Sequence, residues 1–261
     1  MERQLVGKNE LAYLDNKMNG ETILLIHGFC GSSDYWSKII PRLSNHRVIA
    51  IDIRGHGGSS VTEDAFSVED LAQDIEYFCD QKQLDQFFLF GHSLGGYITL
   101  AFADKMKQRL KGFGLIHSTS MPDDFQAKEN RLKGIDSIQE KGMHYFVDEL
   151  IPKLFAPDSD KELIEEALQI GYGTNPAAAK QCLKSMKNRP DRTDVMKNAE
   201  MPILLVAGKE DRIIPEEKAF NVEAPHISKK MLNHSGHMGM MEQPNELAEI
   251  INDFISNVQS N

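Results

Sequence analysis

Five stretches of the chain are almost wholly apolar: 22–27, 48–53, 87–90, 112–117 and 203–207. Runs this short suit strands in the middle of a parallel sheet, with helices covering both faces. The segments between them carry helical spacing instead. Residues 67–82 open on Ser67-Val68-Glu69-Asp70, close to a capping box, and then place Leu71, Ile75 and Phe78 on one side. Residues 94–108 follow the run at 87–90 directly. Residues 245–258 start after Pro244 and line up Leu247, Ile250, Ile251, Phe254, Ile255 and Val258. Strands alternating with helices predict an α/β fold with a mostly parallel central sheet flanked by helices. A hairpin over 3–15 turns around Gly7-Lys8-Asn9, and a last, shorter strand is expected near 229–233.

The alternation stops between about 121 and 195, where no strand-like run occurs. Short helices are expected there, at 123–141, 143–155, 159–171 and 176–187. The chain thus divides into a core, 1–120 and 196–261, and an inserted helical cap, 121–195. Within that cap, 158–166 carries net charge −4 and 180–192 carries +4. Lys180, Lys184 and Lys187 form one stripe, expected as a solvated face, opposite Cys182, Leu183 and Met186.

Composition removes several classes of function. Lys+Arg 29 against Asp+Glu 39 gives a net charge of −10, a poor match to a phosphate backbone, so no nucleic-acid partner is expected. Cys30, Cys79 and Cys182 lie far apart without a C-x-x-C, which speaks against a disulfide framework or cysteine-held zinc and fits a reducing compartment. No run approaches the roughly 20 apolar residues of a membrane span, and Met1-Glu2-Arg3-Gln4 leads into no apolar signal region. A cytoplasmic protein is the expectation, as a monomer or homodimer. Neither cofactor nor metal is expected, since no histidine or carboxylate cluster has ligand spacing.

Gly91-His92-Ser93-Leu94-Gly95 falls between a strand and a helix. A nucleophile on such a sharp turn needs glycines at both flanks, because strand and helix cross closely, and the helix N-terminus places free N–H groups beside it. Ser93 then needs a base, and the base an orienting acid. His237 and His234 are the candidate bases. Asp211, after the strand 203–207, is the candidate acid, with Asp52, Asp123 and Asp124 as rivals. A tetrahedral intermediate also needs two N–H donors, and the Leu94 and Phe29 amides are the candidates, with Gly28 permitting a close approach. His27, His92 and His56 read as structural braces, and His117 as packing at a strand end. Cys30 reads as a small buried residue, and Met238, Met240 and Met241 as core or pocket wall.

These motifs together resemble the α/β-hydrolase fold superfamily. The residues that carry the resemblance are His27-Gly28-Phe29, Asp52-Ile53-Arg54-Gly55-His56-Gly57-Gly58-Ser59, Gly91-His92-Ser93-Leu94-Gly95, Gly208-Lys209-Glu210-Asp211 and Gly236-His237. Within the superfamily the chain is similar to small bacterial serine esterases and the 3-oxoadipate enol-lactonase-like and cofactor-free haloperoxidase-like group, and Ala127-Lys128-Glu129-Asn130-Arg131-Leu132 at the start of the cap shares that character. The resemblance implies a Ser93–His237–Asp211 triad. It favours His237 over His234 by its Ser-Gly-His context, and Asp211 over the other carboxylates by position. It implies a small-molecule ester, thioester or lactone as substrate. Epoxide hydrolases and haloalkane dehalogenases carry Asp where Ser93 stands, and Phe29 after Gly28 departs from lipases with a longer glycine run. The same triad in relatives runs carbon–carbon hydrolysis, lyase or perhydrolase chemistry, for which cap residues such as Arg131, Arg189 or Arg192 are the polar candidates. Tyr97 stands where menaquinone-pathway lyases carry Arg. A ligand receptor on the same fold is the remaining alternative.

Overall fold

The computed structural model describes residues 1–61 and 64–260. Residue 261, the expected outer limit of the core, lies outside the described residues, as do 62–63. Eight strands form one sheet: β1 (Glu2–Val6), β2 (Asn9–Asp15), β3 (Thr22–Ile26), β4 (Arg47–Ile51), β5 (Phe87–His92), β6 (Leu110–Ile116), β7 (Ile203–Gly208) and β8 (Ile227–Leu232). Their order is β1-β2-β4-β3-β5-β6-β7-β8. Only the β1–β2 and β2–β4 pairings are antiparallel. Every residue of β5 and β7 is buried, as their uninterrupted apolar runs require. At the end of the sheet, β8 alternates instead and carries Lys229 and Lys230, charges that protect its outer, unpaired edge.

Ten α-helices were found among the described residues: α1 (Val68–Gln81), α2 (Leu94–Met106), α3 (Phe125–Lys141), α4 (Met143–Leu150), α5 (Lys161–Tyr172), α6 (Pro176–Asn188), α7 (Thr193–Lys197), α8 (Glu216–Ala219), α9 (Gly239–Glu242) and α10 (Pro244–Gln259). The α1 capping box is complete. The Ser67 hydroxyl accepts from the Asp70 N–H at 3.2 Å, and the Asp70 carboxylate accepts from the Ser67 N–H at 2.8 Å. Strand pleat sorts the β5 phenylalanines. Phe88 and Phe90 point to α10 and meet Phe254 edge-on, with centroids 6.2 and 6.0 Å apart, while Phe87 meets Phe102 of α2 on the other face at 5.7 Å. The short α7, α8 and α9 and the 3-10 turns Ser33–Trp36 and Ile40–Leu43 went unforeseen, since each is shorter than the window in which a helical period can be seen, while the helix expected over 143–155 ends as α4 at Leu150 and continues as the 3-10 turn Ile151–Leu154.

Two features of the connectivity position a site. First, β3 sits between β4 and β5, so the chain leaves β3 to one side and later returns on the other. A crevice opens at such a reversal, at the carboxyl ends of β3 and β5. Second, α3 to α7 are threaded between β6 and β7, which are neighbours in the sheet. These helices return to the same edge. Asn175 donates to the Gly55 carbonyl at 2.8 Å, and the Ser185 hydroxyl to the Phe66 carbonyl at 2.6 Å.

Candidate active site

Ser93 lies where β5 passes into α2, with φ 51° and ψ −111°. That is a strained conformation for a residue with a side chain, of the kind stored at functional turns. It persists because its surroundings leave no slack. A Cβ on Gly91 would lie 2.1 Å from the Gly95 carbonyl oxygen, and one on Gly95 would lie 2.3 Å from that of Ile26. The Ser93 N–H donates to the Ile116 carbonyl at 3.0 Å, and the Ser118 hydroxyl donates to the Ser93 carbonyl at 2.8 Å. Ser93 itself stays partly exposed.

The Phe29 loop lies against this turn. A Cβ on Gly28 would come within 3.2 Å of the Ser93 Cβ and 2.5 Å of His92 Nδ1. Neither the Phe29 nor the Leu94 N–H finds a protein acceptor among the described residues. Both amides are therefore left without a protein partner, and Leu94 lies at the positive end of α2. His27 braces the loop. It accepts from the Ile53 N–H at Nε2, 3.1 Å, so its proton sits on Nδ1 and is donated to the Gly28 carbonyl at 2.7 Å. Burial depresses the pKa of His27 to about 4 and that of His56 to about 3.

Asp211 follows β7, and His237 follows β8. The two meet at 2.8 Å, Asp211 Oδ2 to His237 Nδ1, with both side chains buried. The other Asp211 oxygen accepts from the Ile213 and Ile214 N–H groups at 2.8 and 2.9 Å. Burial works against the Asp211 charge, but the imidazoles of His237 and His117 outweigh it and hold the carboxyl well below the usual carboxylate range. The His237 backbone is fixed from two sides. Its carbonyl accepts from His92 Nε2 at 2.8 Å, and its N–H donates to the Leu154 carbonyl at 2.6 Å. The His92 bond, one residue from Ser93, brings the His237 loop to the β5 turn; the two imidazole centroids are 4.9 Å apart. No hydrogen bond joins the Ser93 hydroxyl to His237 in this structure. Such a contact commonly closes only once a ligand is bound.

The rival residues are engaged elsewhere. His234 is exposed on the surface. Asp52 is buried and accepts from the Ser33 and Gly58 N–H groups at 2.6 and 2.7 Å, ordering the loop after β4. Asp123 holds Arg189 at 2.5 Å and Arg131 at 3.1 Å, and Asp124 caps α3. Arg192 reaches Glu69, with Asp104 at 3.8 Å. Cys30 is buried, and burial pushes its thiol well above the usual range. Met238, Met240 and Met241 are packed in the core. Lys184 is exposed and Lys180 and Lys187 are half-buried, while Cys182, Leu183 and Met186 on the same helix are buried.

Sequence reasoning underrated two residues. His117, expected to pack or else to line the pocket, is buried with φ 49° and sits 3.2 Å from the same Asp211 oxygen that His237 uses. Glu242 on α9 accepts four hydrogen bonds, from Ala156 N–H and Ser159 hydroxyl on one oxygen and Ser235 hydroxyl and Met238 N–H on the other, at 2.6 to 3.1 Å. A histidine at a strand end was the only advance signal for the first, and nothing marked the second. His117, Asp211 and His237 also offer metal-type ligand atoms within 4.8 Å of one another. Those atoms are already hydrogen-bonded among themselves, as a charge-orienting cluster needs.

Comparison with known proteins bears on the fold and the family. A family model described as the alpha/beta hydrolase fold matches residues 21–169. An uncharacterized hydrolase of Bacillus subtilis is 28% identical over 251 residues, covering 90% of each chain. The solved structure of a thermophilic esterase from Thermogutta terrifontis superposes with a TM-score of 0.92 at 30% identity, over 99% of each chain. An enol-lactonase from Burkholderia xenovorans superposes with a TM-score of 0.90 over 98% of this chain and 100% of its own, at 19% identity, a likeness of fold alone.

Proposed function

The chain belongs to the α/β-hydrolase fold family, and on that premise we propose that it is a serine hydrolase of small carboxylic esters, thioesters or lactones, working through Ser93, His237 and Asp211. The observation that carries this reading is the buried 2.8 Å bond from His237 to Asp211, set on a loop tied to the strained Ser93 turn.

In this reading the Ser93 hydroxyl attacks the substrate carbonyl as His237 Nε2 takes its proton. Asp211 fixes the imidazole as the Nδ1–H tautomer and stabilises the imidazolium that forms. The Phe29 and Leu94 N–H groups receive the oxyanion, where a single donor is worth about 3 kcal/mol. His237 hands the proton to the departing alcohol or thiol, leaving an acyl group on Ser93. It then takes a proton from water, whose oxygen attacks the acyl carbon. Collapse returns the proton to Ser93 and releases the acid. Helices α3 to α6 act as a cap that shields the acyl group from bulk water.

Carbon–carbon hydrolysis or lyase chemistry finds less support. The arginines of the inserted segment that such reactions would call on, Arg131, Arg189 and Arg192, all end on carboxylates. The experiment is labelling with a fluorophosphonate probe, together with turnover of a chain-length series of esters and lactones. Labelling and turnover that both vanish in Ser93→Ala are expected. Full esterase activity in Ser93→Ala would overturn the assignment.

A further inference from the structure

The Phe29 loop forms one wall of a groove of about 610 Å³. Its apolar lining includes Phe29 and Ile213 from the core, facing Phe146, Leu150 and Leu183 from the inserted helices, and the Phe29 and Phe146 rings are 5.9 Å apart. The charged lining is unlike the rest of the protein. Arg131, Lys133, Lys141, Lys153 and Arg212 are cationic and Glu149 alone is acidic, on a chain of net charge −10. Arg131 is held by Asp123, and Lys153 by Glu149 at 3.3 Å. Lys141 rests over Tyr145. The side chains of Lys133 and Arg212 make no hydrogen bond or ion pair among the described residues, and Arg212 directly follows Asp211.

We propose that this groove binds a carboxylate carried by the substrate, several bonds from the carbonyl that Ser93 attacks. The inference rests on the hydrolase reading above and adds the substrate class to it. An extended chain would lie on the apolar floor, with its carboxylate accepting from Arg212 and Lys133. A neutral ester would leave both cations solvated and gain nothing from them.

The test uses matched pairs: monomethyl adipate against methyl hexanoate, and 5-acetoxypentanoate against pentyl acetate. They place the carboxylate on the acyl and alcohol sides respectively. The acid is expected to exceed its neutral partner in kcat/KM by about tenfold or more in at least one pair, the scale of one charged hydrogen bond. Arg212→Gln and Lys133→Gln should each shrink that ratio. Equal turnover within both pairs overturns the proposal, as does a ratio that survives both substitutions. No turnover of any of the four by protein whose Ser93 takes a fluorophosphonate label overturns this proposal alone. Failure to label overturns the hydrolase reading and this proposal with it.

A separate observation concerns His117. Its Nε2 accepts from the Gly239 N–H at 3.2 Å, so its proton is on Nδ1, 3.2 Å from Asp211 Oδ2. Asp211 Oδ2 therefore receives two imidazole N–H groups, from His237 on the β8 loop and His117 on the β6 loop. The other ionisable groups around this cluster are His92 at the end of β5, 6.0 Å from the His117 ring, Glu242 on α9 and Arg212 beside Asp211. We infer that His117 is a positioning residue. Its N–H holds the carboxylate so that Oδ2 stays aligned on His237 while the imidazolium forms and decays.

Asparagine separates this role from packing. An Asn side-chain amide nitrogen overlies Nδ1, keeps the donor to Asp211 and tolerates a positive φ, but cannot accept from Gly239. Alanine loses both contacts. His117→Asn should keep kcat within a few-fold, whereas His117→Ala should lose about tenfold or more with KM little changed. Thermal melts of both variants report the shared cost of losing the Gly239 contact. Equal kcat in the two variants, normalised to the active-site concentration that fluorophosphonate titration gives in a parallel unreacted sample, overturns the inference.

Discussion

The His237 N–H donates to the Leu154 carbonyl at 2.6 Å, across the boundary between the β8 loop and the inserted helices. Glu242 reinforces that seam. Its carboxylate takes Ala156 and Ser159 from the inserted segment and Ser235 and Met238 from the His237 loop. The segment over the site thus also fixes the backbone of the proposed base.

Glu242→Ala strands four donors at this seam. We expect it to cost about 3 kcal/mol of stability and at least tenfold in kcat. Glu242→Gln, which keeps two acceptor positions at one oxygen, should recover part of both. Urea unfolding and steady-state kinetics on one ester provide the comparison. An alanine variant of wild-type activity would show that the seam does not position His237.

Asp211→Asn exchanges one acceptor oxygen for an NH₂ group among four N–H donors. His237 then loses the partner that fixes its tautomer. We expect kcat to fall by about 10⁴. A loss smaller than tenfold would remove Asp211 from the mechanism.

Asp123 holds two arginines, and Arg189, itself buried, also lies 3.9 Å over the Tyr97 ring of α2. Asp123→Ala leaves that buried cation without its carboxylate. A loss of about 3 kcal/mol in unfolding free energy is expected, read as a lower urea midpoint with m unchanged. A change below about 1 kcal/mol would mean that Tyr97 and the Met121 and Met186 carbonyls hold Arg189 unaided.

Stability should fall on acidification in two stages. His27 and His56 are buried neutral, with pKa depressed from 6.5 to about 4 and about 3, and burial likewise depresses His92. Below pH 6.5 the unfolded chain takes up protons that the native protein refuses, so stability rises with pH across that window and is lost as pH falls through it. Asp211 adds a second stage. Its carboxylate contributes fully above the unfolded value of 3.8, and that contribution is lost as pH drops below it. Melting temperatures from pH 7.5 to 3.5 should decline from about pH 6.5 and go on declining below about pH 4, where Asp211 takes over from His27. A flat profile down to pH 4.5 would contradict the assignment of neutral buried imidazoles.

Much of the fold is legible in the sequence. The apolar runs at 22–27, 87–90 and 203–207 became central strands because residues buried on both faces must be apolar at every position, and that pattern is local. The helices over 67–82 and 245–258 were equally legible, because one apolar stripe and one cap suffice to mark them. Elements such as α8 and α9 were not, since four residues are too few to show a period.

The site divides in the same way. Ser93 between Gly91 and Gly95, Asp211 after β7 and His237 after β8 were each nameable from the chain, because steric demands at a sharp turn and at strand ends are written in neighbouring residues. The partners of those groups were not. His117 lies 94 residues from Asp211, and Glu242 lies 86 residues from Ala156. Neither spacing has a local signature. The basic groove is assembled from α3, α4 and the loop after β7, so a residue count over any one segment misses it. Local sterics and hydrophobic period determine the elements and the residues at their ends. Which charges and hydrogen bonds converge depends on closing the sheet and folding the inserted helices over it, and only the tertiary structure decides that.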